Sequence, residues 1–206
     1  MLVSGHTGIT LGIGWLLEST WRRKSSNAAR RESIGNADLT QGVSGAGLLA
    51  TLGGGIDYRL LLLGSMLPDI IDKPIGQVFF RDFFSNGRIF CHTLLFLILT
   101  TLAGLFLYRS KGKTWLVVLS FGTFTHLIFD QMWLAPGTLF WPLYGFAFEK
   151  IDLTQWVQGI FHALLTDPVV YIPEIVGGGI LILFVWVVVN NEKLFAFIRN
   201  GKLHNP

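Results

Sequence analysis

The sequence predicts an all-α membrane protein: a polytopic helical bundle of about five transmembrane helices, forming one integral-membrane domain over residues 1–206. Three observations carry this expectation. Hydrophobic residues make up 51% of the chain and charged residues 14%, against about 25% charged in an average soluble domain. The apolar residues fall in runs close to the length a helix needs to cross the hydrocarbon layer. The basic residues lie between those runs and favour one side of the membrane. In lipid every backbone polar group must be satisfied internally, so the runs are helices and not an open sheet.

The first run covers about 2–17. A secretory signal carries its positive charge ahead of the apolar core, whereas here Arg22, Arg23 and Lys24 follow it. Ser4, Gly8 and Gly12 repeat at four-residue spacing, which predicts a close helix–helix contact. Residues 21–41 read as a basic cytoplasmic loop. The second run lies between 43 and 71 and is interrupted by Asp57 and Arg59. It reads as a short helix over 57–70, with an interfacial or re-entrant lead-in over 44–56. The third, fourth and fifth runs cover about 89–108, 114–134 and 175–189. Residues 132–171 carry Trp133, Phe140, Trp141, Tyr144, Phe146, Phe148 and Trp156. They read as an aromatic belt at the interface, or as a lid over a site for an acyl chain. Within them, 154–165 has the pattern of an amphipathic surface helix. Residues 191–206 form a cytoplasmic tail.

Counting Lys and Arg orients the bundle. Residues 22–31 hold five, 109–113 hold three and 193–202 hold three, eleven in all, and alternating helices put them on one side. Lys73, Arg81, Arg88 and Lys150, four residues, fall on the other side. The N-terminus is then outside and the C-terminal tail in the cytoplasm. The formal net charge of +3 does not suggest a nucleic-acid partner, because the basic residues form no stripe on a polar surface.

Ionisable residues at membrane depth are costly and need a reason. His6, Asp69, Asp72, His92, His126, Asp130 and Glu174 all fall at the outer level under a topology derived from Lys and Arg alone. His126 and Asp130 are four apart on one helix face, with Cβ atoms roughly 5–6 Å apart. They can share a metal ion or simply form a hydrogen bond that fixes packing. Asp69 and Asp72 can converge on a cation as hard oxygen ligands or lie in a solvated turn. With one cysteine, Cys91, no cysteine zinc cluster is available, and Cys91 reads as a packing residue. His and Asp in an apolar bundle suit zinc, with manganese as the alternative. Glu174 reads as a ligand, a general base or a helix-terminal carboxylate. Arg88 reads as a planar fork for a phosphate or carboxylate, or as a rim residue. His162, Asp167 and His204 read as structural or inert.

Four short elements carry a family resemblance. Gly64-Ser65-Met66-Leu67-Pro68-Asp69-Ile70-Ile71-Asp72 resembles a G-x-x-x-P-D-x-D element. Gly87-Arg88-Ile89-Phe90-Cys91-His92-Thr93 resembles H-R-G-x-T-H-S, and Gly122 to Asp130 resembles G-x-x-x-H-x-x-x-D. Leu139-Phe140-Trp141-Pro142 resembles the L-L-x-P that follows, and a histidine near His6 is typical. In this order, over about 1–190, they resemble the membrane-bound metal-dependent hydrolase family of bacteria and archaea, the LexA-regulated inner-membrane group. That family is distantly similar to zinc-dependent phospholipase C. The chain departs from the pattern at Gly87, where a histidine is usual, at Lys73, where a histidine is common, and in the one-residue shift of Asp72.

The resemblance implies a prokaryotic cytoplasmic (inner) membrane and one to three divalent ions. The ligands expected are His6, Asp69, Asp72, His92, His126 and Asp130. Asp72 or Glu174 is expected as base, and Arg88 is expected to steady an anion. Together with the depth of the cluster, this gives metal-assisted hydrolysis of a lipid or lipid-linked phosphoester as the expected function. Two rival readings are a non-enzymatic membrane protein with a structural metal or polar network, and a small ion or proton transporter.

Overall fold

A computed structural model describes residues 3–32, 56–190 and 194–203, and among these it holds helices and turns but no strand. All but Ile56 of the expected re-entrant lead-in over 44–56, residues 33–41 of the expected loop over 21–41, and His204 lie outside the described residues. Helix α1 spans Val3–Glu32. It carries through the basic stretch where a loop was expected, because Trp21 to Glu32 is rich in Arg, Lys and Ala and contains neither Gly nor Pro. Helix α2 spans Tyr58–Pro74 and passes into a π-helical turn, Ile75–Phe79. Asp57 caps its start by accepting from the backbone N–H groups of Arg59 and Leu60. Helix α3 spans Leu94–Lys111 and helix α4 spans Trp115–Phe129. Short turns at Met132–Leu134 and α5, Pro136–Leu139, follow. Helices α6, α7 and α8 span Leu153–Thr166, Pro168–Asn190 and Leu194–Asn200.

Four further helix ends differ from the expected ones. Helix α2 continues past 70, so Asp69 and Asp72 lie inside it. Helix α3 starts at Leu94, not near 89, because the preceding backbone folds around Asp72 and Thr93 then caps the helix through the N–H of Phe96. Helix α4 stops at Phe129, short of 134, where Gln131 takes a positive φ of 52°. Helix α7 begins at Pro168, ahead of 175, and proline suits a first helical position.

Helices α3 and α7 are long and apolar enough to cross a membrane, with 18 and 23 residues. Only 6% and 17% of their most apolar windows are buried against the protein. Leu99, Leu102 and Phe106 on α3 and Ile182, Val185 and Trp186 on α7 face outward, unlike the core helix of a soluble protein. Helix α4 is a shorter apolar helix of 15 residues.

Glycines set the two closest crossings. Helix α1 meets α7 at Gly8 and Gly177, where a Cβ on Gly8 would fall on the Gly177 carbonyl. Helix α2 meets α4 at Gly64 and Gly122, where a Cβ on Gly122 would lie 2.7 Å from the Leu61 carbonyl oxygen. The small-residue spacing in α1 therefore marks a helix contact. Gly8→Ala is expected to destabilise the protein by about 1–3 kcal/mol, because the backbones must separate to admit the methyl group. Thermal unfolding in detergent checks this.

An apolar layer of Leu11, Leu61 and Val118 fills the middle of the bundle. Below it the Tyr58 hydroxyl donates to buried Glu18, which also pairs with Arg22. The described part of the expected tail docks here. The Arg59 guanidinium donates to the carbonyls of Ile198 and Arg199, and the Tyr58 N–H donates to Gly201 O at 2.8 Å. Above the layer lies the other polar level, about 18 Å along α1 at 1.5 Å per residue from Glu18 to His6.

Candidate metal centre

Four segments converge above the apolar layer. Helix α1 brings His6, α2 brings Asp69 and Asp72, and the turn before α3 brings His92. Helix α4 brings His126 and, at its C-terminal cap, Asp130. All six side chains are buried.

The local sequence explains how α2 and α4 come close enough. Pro68 has no N–H, so the Gly64 carbonyl one turn earlier lacks its helical donor. Thr123 of α4 donates its hydroxyl to that carbonyl at 3.3 Å. One residue on, the Ser65 carbonyl lies 2.6 Å from His126 Nδ1. A carbonyl only accepts, so Nδ1 carries the proton and Nε2 of a neutral His126 is a bare lone pair.

His92 is oriented in the same way. Its Nδ1 lies 2.7 Å from Asp72 Oδ2. Asp72 also accepts from the backbone N–H groups of Ile89, Cys91 and His92 at 2.9–3.1 Å. Asp72 Oδ2 accepts from these N–H groups and from the ring alike, so His92 donates from Nδ1 and presents Nε2 as a lone pair. Asp72, expected as a ligand or base, therefore has its oxygens turned away from the cluster and serves to aim His92.

The two Nε2 atoms face each other at 3.2 Å. With both rings neutral, neither can donate to the other, so the pair calls for a proton or a metal ion between them. Asp69 Oδ1 lies 3.6 Å from His92 Nε2 and 3.9 Å from His126 Nε2. Asp130 Oδ2 lies 3.7 Å and 3.9 Å from the same two atoms. Ligands 2.0–2.2 Å from a tetrahedral zinc ion stand about 3.3–3.6 Å apart. The two nitrogens and Asp69 Oδ1 are spaced for such an ion within a few tenths of an ångström and form one convergent triad. The residues present thus fit a divalent metal on two imidazoles and the Asp69 carboxylate, with Asp130 Oδ2 beside both nitrogens.

His6 occupies the edge of this set. Its ring stacks on His126 with centroids 4.3 Å apart, and its Nε2 lies 3.1 Å from Asp130 Oδ1. His6, His126 and Asp130 form a second group of convergent donors beside Asp69, His92 and His126. Both groups need the single Nε2 lone pair of His126, so they compete for it.

The electrostatics favour positive charge here. His92 lies ahead of α3. Burial disfavours its charged form, but Asp69 and Asp72 outweigh burial and raise its pKa. Asp130 lies beyond the end of α4. Burial again opposes the charge, but the hydrogen bond from His6 and the charge on Arg88 hold its carboxyl below the usual carboxylate range.

Two cations stand over the carboxylates. Arg88 Nε lies 2.8 Å from Asp130 Oδ2, so Arg88 does sit at the cluster's rim. Lys73 Nζ lies 2.6 Å from Asp69 Oδ2. In the sequence Lys73 stands out as an outer-side basic residue and a departure from a motif, although its four-residue spacing from Asp69 on α2 is also an ion-pair signal. Both cations are 40% exposed and, with Gln77, Asn86 and Gly87, border a cavity of about 150 Å³ over the cluster. A Cβ on Gly87 would meet the Gln77 amide at 2.5 Å, so a side chain there would crowd the mouth.

Glu174 does not join the cluster. Its carboxylate accepts from Gly5 N–H at 2.9 Å and from the Ser4 hydroxyl. That is the start of α1, where N–H groups lack helical partners. Glu174 therefore ties α7 to α1 next to His6. Cys91 is buried, as a packing residue should be. His162 pairs with Thr166 on the surface of α6.

No curated protein and no solved structure matches the chain. The sequence profile of the YdjM inner membrane protein family matches residues 1–196, which takes in every helix and side chain that builds the cluster. The match agrees with the outward-facing apolar surfaces of α3 and α7: the chain is a membrane protein and belongs to the YdjM inner membrane protein family.

Proposed function

We propose that this protein is a membrane-embedded metal-dependent hydrolase acting on a phosphoester of a lipid or lipid-linked substrate at the outer membrane–water interface. The observation that carries the reading is the meeting of two oriented imidazole lone pairs and two carboxylates beneath Lys73 and Arg88. The proposed ligands are His92, His126, Asp69 and Asp130, holding one ion, with zinc preferred over manganese. The topology that goes with it has five spans, formed by α1, α2, α3, α4 and α7, with the N-terminus outside and the C-terminus in the cytoplasm. The lone-pair pair and the convergence of His92, His126 and Asp69 support the metal, and the basic-residue count supports the orientation.

A bound divalent ion supplies Lewis acidity toward a phosphoryl oxygen and a water acidified toward neutral pH. The chain's own residues do the rest. Asp72 fixes the ring of His92, and the Ser65 carbonyl fixes that of His126. His6 donates from Nε2 to Asp130 Oδ1 and orients that carboxylate. Arg88 offers a planar fork of N–H donors, and Lys73 a mobile ammonium, to the unreacting oxygens of an anionic group. Burial of the cluster keeps bulk water from weakening these charges.

A structural ion or a polar network without catalysis is the nearest rival. It is favoured by the ion pairs of Asp69 and Asp130 with Lys73 and Arg88, which neutralise those carboxylates without a metal. The apolar layer of Leu11, Leu61 and Val118 between the two polar levels speaks against a transport path. The test is phosphoester hydrolysis by zinc-loaded protein in lipid nanodiscs. Turnover is expected to stop on chelation and to fall about 10²-fold in Arg88→Ala, the scale for losing one transition-state donor. Cleavage of another bond class with every phosphoester left intact, or no turnover with either metal, overturns the reading.

A further inference from the structure

A second cavity joins the mouth of the cluster. It is a groove of about 670 Å³ between the end of α4 and the start of α7. Ile128, Trp133, Leu134, Val169 and Ile172 give it apolar walls. These residues are exposed, Leu134 by 71% and Val169 by 59%. The walls belong to the end of α4, the turn that follows it and the start of α7, and their apolar side chains are exposed, so the groove opens sideways toward the bilayer as well as upward. Arg88, Asp130 and Val170 line both this groove and the polar mouth. The two cavities are therefore halves of one site, with a cationic half over the carboxylates and an apolar half beside it.

The charges say what the cationic half takes. Lys73 and Arg88 balance Asp69 and Asp130, so a divalent ion leaves the mouth with excess positive charge. An anion is the ligand that restores balance there. A ligand that fills both halves is an anionic headgroup carrying a hydrocarbon chain.

We infer that the site takes its substrate as a single-chain-anchored phosphate, with the phosphate between Lys73 and Arg88 and the hydrocarbon chain in the groove between α4 and α7, entering from the lipid. The inference rests on the phosphoester reading for its chemistry. It adds the pose, the entry route and the residues that select for the chain: Trp133, Val169 and Ile172. Val170, at the junction, separates chain from headgroup.

The experiment reads binding, so it does not depend on turnover. Zinc-loaded protein in detergent is titrated with 12-bromododecylphosphonate, which cannot be hydrolysed and whose bromine quenches nearby indole fluorescence. The difference between wild type and Trp133→Phe isolates the signal of Trp133. The phosphonate is expected to quench Trp133 at concentrations about tenfold or more below those of the matching 12-bromododecyl trimethylammonium, and methylphosphonate is expected to compete only weakly. Val169→Phe/Ile172→Phe, which fills the groove, is expected to weaken binding of the long-chain probe about tenfold or more, with methylphosphonate binding unchanged. Equal quenching by the two bromoalkyl probes, no quenching of Trp133, or an unaffected double variant overturns the proposal. The first two outcomes need no groove variant, so a misfolded double variant does not rescue it. Failure of the hydrolase reading looks different: no phosphoester turns over, while the phosphonate still binds in the groove.

Discussion

Purified protein loaded with zinc is expected to hold about one ion per chain, and His126→Ala is expected to hold none. The effect should be large because His126 Nε2 belongs to both groups of convergent donors, so neither group is left complete. Losing a group that merely orients a ligand costs 10- to 100-fold in metal affinity, and losing a ligand should cost more than about 100-fold. The variant also strips the Ser65 carbonyl of its donor, which weakens the α2–α4 crossing. His126→Gln separates the two effects, because its amide can still donate to that carbonyl without an imidazole lone pair. Elemental mass spectrometry gives the metal content, and size-exclusion chromatography with thermal unfolding shows that the variants remain folded. A wild-type protein that holds neither zinc nor manganese after loading leaves the cluster as a packing network. A His126→Gln protein that keeps its ion puts the metal elsewhere.

The sequence carried the position of the cluster better than the job of each member. The basic-residue count predicts one common level for His6, Asp69, His92, His126 and Asp130, and the structure brings these five together. The i,i+4 spacing of His126 and Asp130 could be read because it depends only on helix geometry. The roles of Asp72 and Glu174 could not. Each is decided by backbone N–H groups far away in sequence, at 89–92 for Asp72 and at Gly5 for Glu174. A carboxylate's residue type does not reveal which donors will surround it. Helix ends failed for a related reason, since the backbone around Asp72 delays α3 against the apolar pattern. The crossing of Gly64 with Gly122 was equally hidden, because the hydroxyl that satisfies the carbonyl freed by Pro68 comes from Thr123 on another helix. Two of the expected spans, α3 and α7, are apolar enough to stand out on composition. Helix α2 is not, because it carries Arg59, Asp69, Asp72 and Lys73 within 17 residues.

Asp72→Asn is expected to keep the fold and lose the metal site's geometry. Asp72 uses its oxygens to accept from three backbone N–H groups and from His92 Nδ1. An asparagine has one acceptor oxygen, and its NH₂ must face a donor that now has nowhere to donate. Each charge-assisted hydrogen bond lost is worth about 1.5–3 kcal/mol, so the variant should unfold at a clearly lower temperature while still folding. The effect on the ion is separate. Without a carboxylate behind it, His92 is no longer held with Nδ1 protonated and can turn or change tautomer, withdrawing Nε2 from the His126–Asp69–Asp130 set. Zinc affinity should fall about 10- to 100-fold. Cobalt substitution should show the cause, because the visible absorption of a tetrahedral cobalt site changes when one imidazole is displaced. Asp72→Glu provides the contrast: it keeps the charge but lengthens the side chain in a fully buried space, so it should disturb stability through overpacking more than through lost hydrogen bonds. An Asp72→Asn protein that loses stability but keeps wild-type zinc affinity and an unchanged cobalt spectrum would confine Asp72 to holding the 89–92 turn. Affinity and spectrum changing together would make the buried carboxylate the group that aims His92.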